Sequence, residues 1–195
     1  SRGEVDRRWC RIHATHVDNS EIERMAASSA VAGLCPTTEA NLGDGIFPAV
    51  EYIARHGRWG IGSDSHVSLS ALEELRWLEY GQRLRDRRRN RITLPNQPSV
   101  GDLLWQQAAQ GGAQACAIAT GELALGKRAD WLVLENDAFL SSVPDTSLLN
   151  RWLFGGTQRQ IRDVFVAGLQ VISEGHHPAE EAAAARFAKV MSALQ

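Results

Sequence analysis

Three short apolar or β-branched segments are each followed by a polar residue able to do chemistry, and those residues recur at a near-constant interval. His13, Glu39 and Asp64 stand 26 and 25 residues apart. The segments are Trp9-Cys10-Arg11-Ile12, Gly33-Leu34-Cys35 and Trp59-Gly60-Ile61-Gly62, and a helical pattern follows each of them within the first 91 residues. A step of that size is one β/α unit, so the strands should run parallel and the residues beyond their C-terminal ends should gather on one face. A whole β/α barrel takes about 250 residues, so three units make only a portion of one, and the remaining strands are expected upstream of Ser1.

Helix signals support the alternation. Ser20 and Glu23 have the spacing of a capping box ahead of an inward stripe of Ile22, Met25, Ala26 and Ala30, with Gly33 as the stop. A second helix is predicted through Phe47, Val50, Ile53 and Ala54 to Gly57. Ser70 and Glu73 open a third, with Leu72, Leu75, Leu78 and Leu84 on one side. Ser99 caps a helix through Leu103, Leu104 and Ala108 that should stop at Gly111-Gly112. Strand-like runs then take over: Asp130 to Leu134, Val164 to Ala167 and Leu169 to Ile172, with Gly168 placed for a tight hairpin. No helix of β/α length is expected between these strands. A terminal helix from Pro178 to Leu194 should cover apolar surface through Phe187, Val190 and Met191.

Charge separates the classes of partner. A formal net charge of -2 gives no field for nucleic acid or an anionic membrane, so a small neutral or zwitterionic ligand is expected. The run Arg83 to Arg91 reads as the solvated end of a helix, where positive charge suits the C-terminal dipole. Three scattered cysteines make no disulfide framework, and no segment has a signal or membrane-spanning character, so a cytoplasmic protein with free thiols is predicted.

Three segments stand out chemically. In Gly62-Ser63-Asp64-Ser65-His66 a carboxylate at the end of a buried strand, flanked by small residues, suits a metal such as zinc or a general base. In His13-Ala14-Thr15-His16 strand alternation would put the two histidines on opposite faces, leaving one of them to function. The stretch Cys35-Pro36-Thr37-Thr38-Glu39-Ala40-Asn41-Leu42-Gly43-Asp44-Gly45 reads as a strand end entering a glycine-rich loop without a phosphate-binding ending. Glu39, Asn41 and His66 are candidates to line a pocket, with turn or capping roles as the alternative. His176 and His177 read as surface residues.

Taken in order, His13-Ala14-Thr15-His16, Cys35 to Gly45, Gly62 to His66 and Glu73-Glu74-Leu75-Arg76-Trp77-Leu78-Glu79-Tyr80 resemble the formimidoylglutamate deiminases of the amidohydrolase superfamily. Gly121-Glu122-Leu123, Gly126 to Asp130 and Val166-Ala167-Gly168 resemble closing segments of the superfamily at large. The resemblance implies an α/β fold, the C-terminal portion of a metal-dependent amidohydrolase β/α barrel plus part of a small β-sandwich domain. Residues 1–120 would carry strands six to eight, 121–178 the β-domain segment and 179–195 a terminal helix. It implies one zinc ion with Asp64 as ligand and proton acceptor and His13 as the hydrogen-bonding residue of strand six, the other ligands having no counterpart here. The implied reaction is hydrolytic release of ammonia from N-formimidoyl-L-glutamate in histidine degradation, by a parent expected to be a homo-oligomer and not by this chain alone. A nucleobase or S-adenosylhomocysteine deaminase is the enzyme alternative, although those show Ser-Asn more often in the place of the Glu39-Ala40-Asn41 segment. A non-catalytic barrel remnant acting as an interaction module is the other.

Overall fold

The computed structural model describes residues 4–194; Gln195 and the first three residues, including the expected boundary at Ser1, lie outside the described residues. Strands β1 (Cys10–Ile12), β2 (Val31–Leu34) and β3 (Arg58–Ile61) form a parallel sheet in that order, with Cys10 opposite Val31 and Val31 opposite Arg58. The middle strand is covered on both faces: Val31, Ala32 and Leu34 are all buried, as a strand flanked by helices on both sides must be.

Helix α1 (Asn19–Ala27) lies between β1 and β2. Its capping box is built by Asp18 and Glu21, two residues before the predicted pair, and Ser20 instead donates its hydroxyl to the Asp18 carboxylate. Both sets satisfy the spacing rule, and the ionised side chain takes the orphan N–H groups. The helix ends at Ser28, and Gly33 sits inside β2.

Between β2 and β3 come α2 (Pro36–Leu42) and α3 (Ala49–Ala54). The first of these occupies the stretch predicted as loop. Proline at its first position and Gly43 in the left-handed region (φ 72°) at its end frame a helix under two turns long.

After β3 come α4 (Ala71–Asp86), capped by Ser70 as predicted, and α5 (Val100–Ala115), capped by Ser99. Leu72, Leu75 and Leu78 enter the core, whereas Leu84 is 73% exposed because α4 runs past it. Part of the basic run is paired within the chain, Arg85 with Glu51 and Asp86 and Arg91 with Asp86, while Arg87, Arg88 and Arg89 are exposed. Those two guanidinium groups hold the Asp86 carboxyl down at about 2.

Helix α5 does not stop at Gly111-Gly112; it continues to Ala115. Here the glycines serve close approach and not termination, because a Cβ on Gly111 would collide with the Trp59 carbonyl of β3. Gly111→Ala is therefore expected to push α5 off the sheet and cost about 1–3 kcal/mol, read as a lower denaturation midpoint. An unchanged midpoint would contradict the contact.

The rest of the chain forms β4 (Trp131–Leu134), α6 (Ala138–Ser141), α7 (Leu148–Gly155), β5 (Ile161–Val166), β6 (Leu169–Ile172) and α8 (Glu180–Ala193). The three strands make a second, antiparallel sheet in the order β4-β5-β6. The predicted hairpin is present, with both turn residues, Ala167 (φ 52°) and Gly168 (φ 80°), left-handed as a two-residue turn requires. The expected absence of helices between these strands is corrected by α7, which packs on α4 and α5 through buried Trp152 and Leu153. Arg76 of α4 donates to the carbonyls of Leu153 (2.7 and 2.9 Å) and Gly156 (3.0 Å), closing the end of α7. Helix α8 covers no core: Phe187 is 67% exposed, and Val190 and Met191 are exposed too, against expectation. No helix among the described residues is long and apolar enough to cross a membrane.

Candidate functional site

The ends of β1, β2 and β3 bring His13, Glu39 and Asp64 together, as their spacing predicts. Strand β1 stops at Ile12, and both His13 (φ 65°) and Ala14 (φ 49°) adopt the left-handed region. His13 still donates its N–H to the Gly33 carbonyl at 2.7 Å, so the ladder anchors it while the backbone turns its ring. Because the chain leaves strand geometry here, alternation no longer separates the histidines. His13, Ala14, Thr15 and His16 all line one hollow of about 420 Å³, with Glu21 and Asp44.

Asp64 also sits in the left-handed region (φ 46°), beyond the end of β3. Its Oδ2 lies 3.7 Å from His13 Nε2 and its side chain is 43% exposed. That separation is too long for a hydrogen bond, so both atoms remain available to a third group placed between them. On its other side, His13 Nδ1 is 3.3 Å from Glu39 Oε1. Glu39 is 4% exposed, and the same oxygen accepts the Cys35 N–H at 2.9 Å.

Three consecutive residues of α2 hold this arrangement to its surroundings. Thr37 donates its N–H (3.0 Å) and its hydroxyl to the buried Glu74 carboxylate of α4. Burial raises the Glu74 carboxyl above its ordinary range, against the lowering effect of those hydrogen bonds. Thr38 donates to the Ser63 carbonyl at 2.8 Å and accepts the His66 N–H at 3.1 Å, bracketing Asp64 on both sides. Glu39 then meets His13.

Two weaker candidates stay outside the cluster. Asn41 is exposed on α2. The His66 ring is tied within its own loop, 2.8 Å from the Ser68 hydroxyl, and only its backbone supports the site. His176 pairs with Glu180 at 2.7 Å on the surface, as expected.

Cys35 is the member the sequence did not single out. Its sulfur, a His13 nitrogen and an Asp64 oxygen lie within 4.8 Å of one another. Burial first, and then the neighbouring Glu39 and Asp64, push its thiol up to about 12. A thiol held protonated is a poor spontaneous ligand or nucleophile. Nitrogen, sulfur and carboxylate oxygen are nevertheless the donor types zinc selects. The open Asp64 carboxylate facing His13 Nε2 fits an ion or an ion-bound water at this end of the sheet.

The chain matches the amidohydrolase family over residues 2–171. It is 59% identical over 191 residues to the formimidoylglutamate deiminase of Pseudomonas aeruginosa, covering 97% of this chain and 42% of that protein. An amidohydrolase structure from Brucella melitensis superposes with a TM-score of 0.90 at 40% identity, over 98% of this chain and 42% of the other. A zinc-bound adenosine deaminase structure from Xanthomonas campestris gives a TM-score of 0.82 at 21% identity, over 95% and 42% respectively, and shares the fold. The chain thus spans less than half the length of these relatives.

Proposed function

The chain belongs to the amidohydrolase family, and from that premise we propose that Asp64 and His13 serve a zinc-dependent deiminase acting on N-formimidoyl-L-glutamate. The observation that carries this reading is the 3.7 Å approach of His13 Nε2 to Asp64 Oδ2 at the C-terminal ends of neighbouring parallel strands. The 59% identity to a formimidoylglutamate deiminase supports the substrate over a nucleoside or S-adenosylhomocysteine. On this reading β1 to β3 are strands six to eight of a β/α barrel within residues 1–120. Residues 121–178 belong to a small β-domain and 179–195 to a terminal helix. The enzyme would be a cytoplasmic homo-oligomer of histidine degradation.

Asp64 would hold the single zinc ion with ligands from outside this chain. Zinc, when bound, lowers the pKa of its water toward neutrality and polarises the group under attack. The Asp64 carboxylate accepts the proton of the attacking water. Oxygen adds to the formimidoyl carbon, and His13 Nε2 accepts a hydrogen bond from the added hydroxyl, orienting it as the centre becomes tetrahedral. The proton held at Asp64 then goes to the formimidoyl nitrogen, and the proton of the added hydroxyl follows to the same nitrogen as the carbonyl forms and the C–N bond breaks, so that water and substrate yield N-formyl-L-glutamate and ammonia. With one carboxylate ligand of its own, the chain by itself would bind zinc weakly and turn nothing over.

A protein of the relatives' full length that carries this segment should release ammonia from N-formimidoyl-L-glutamate far faster than from adenosine or S-adenosylhomocysteine. A preference for either nucleoside would replace this reading with the alternative deaminase.

A further inference from the structure

We infer that Glu39 is the positioning residue that fixes which nitrogen of His13 faces the reacting centre, a role that rests on the proposed function of His13 just given. Two distances carry the argument: Glu39 Oε1 lies 2.9 Å from the Cys35 nitrogen and 3.3 Å from His13 Nδ1. A carboxylate oxygen only accepts, so the partner nitrogen of His13 is the one that carries hydrogen. Nδ1 is thereby committed as donor, and Nε2 is the atom turned to Asp64. The carboxylate itself cannot swing away, because Glu39 is buried on a helix whose neighbouring residues are bonded to α4 and to the Asp64 loop. Backbone strain makes such a hold necessary: His13 and Ala14 are both left-handed, a conformation that costs about 1–2 kcal/mol per residue and persists only when its surroundings impose it. Glu39 is thus a second support for a ring that its own strand has stopped supporting, and it acts through His13.

The Cys35 N–H makes the role separable from simple structural burial. In Glu39→Gln that donor selects the amide oxygen, and the same oxygen then accepts from His13 Nδ1 as before. Glu39→Ala removes the acceptor altogether. Heteronuclear NMR of the histidine rings in the 195-residue chain, at a pH where imidazole is neutral and with His13→Gln to identify the signal, reads the tautomer directly. Nδ1-protonated His13 is expected in the parent and in Glu39→Gln, and loss of that signature in Glu39→Ala. In the full-length zinc-loaded protein, Glu39→Ala should lower kcat roughly 10- to 100-fold, the range for losing a carboxylate behind a site histidine. KM and zinc content should hold, and Glu39→Gln should recover most of the rate. An unchanged His13 tautomer in Glu39→Ala, or a Glu39→Gln as damaged as Glu39→Ala, would overturn the inference. A tautomer that moves in a protein without deiminase activity would uphold it and overturn the proposed function instead.

Discussion

Asp64→Asn, made in a protein of the relatives' full length, is expected to lower ammonia release by about 10³-fold or more, since one substitution removes both an anionic metal ligand and the acceptor of the water proton. The amide keeps the shape of the side chain, and Asp64 makes no hydrogen bond among the described residues that asparagine would break. The fold should therefore survive while bound zinc falls. His13→Gln is the informative companion. It leaves Asp64 in place, so zinc content should hold while turnover drops about 10²- to 10³-fold through lost stabilisation of the tetrahedral centre. Zinc analysis and ammonia release on the same preparations distinguish the two roles, and normal turnover in Asp64→Asn would remove this residue from the mechanism.

The largest expected loss of stability lies away from the site, at Glu79. Its side chain is 0% exposed and accepts from Arg83 Nε at 2.6 Å and from the backbone N–H groups of Arg91 and Ile92 at 2.9 Å each. One carboxylate thus folds the end of the basic run back onto α4 and delivers Ile92 to the core, where it is buried. Glu79→Ala would leave the buried Ile92 N–H, the part-buried Arg91 N–H and the Arg83 guanidinium without their acceptor, a change worth about 3–5 kcal/mol when one partner of a buried pair is removed. For a chain of this size that corresponds to a denaturation midpoint lower by roughly 10 °C. Glu79→Gln keeps an acceptor and should lose less. An alanine variant within about 1 kcal/mol of the parent would mean that this loop folds without its carboxylate.

The fold was legible where one physical signal dominated. The strand-to-strand interval placed His13, Glu39 and Asp64 at a common end, Ser70 and Ser99 announced their helices, and Gly168 its hairpin. Helix α2 was hidden for a physical reason. It is too short to display helical periodicity, and besides Pro36 the side chains it buries are Thr37, Thr38 and Glu39, the reverse of the polar-out pattern by which helices are recognised. That same inversion concealed the support of the site, since Glu39 was visible as a pocket candidate but not as a partner for His13. Cys35 was hidden in turn, because its nearness to His13 depends on how β2 pairs with β1. Gly111 shows a different ambiguity: glycine marks both helix ends and close contacts, and only the position of β3 decides between them.

The left-handed residue between His13 and Thr15 bears on how this segment can vary. Ala14 holds a backbone geometry that glycine adopts with far less strain. A search for tougher variants that scored stability alone would therefore favour glycine there. The added freedom at the pivot of the histidine would then be felt as lost activity, with no substituted side chain near the substrate to explain it. Selection for robustness and selection for turnover should pull in opposite directions at this position.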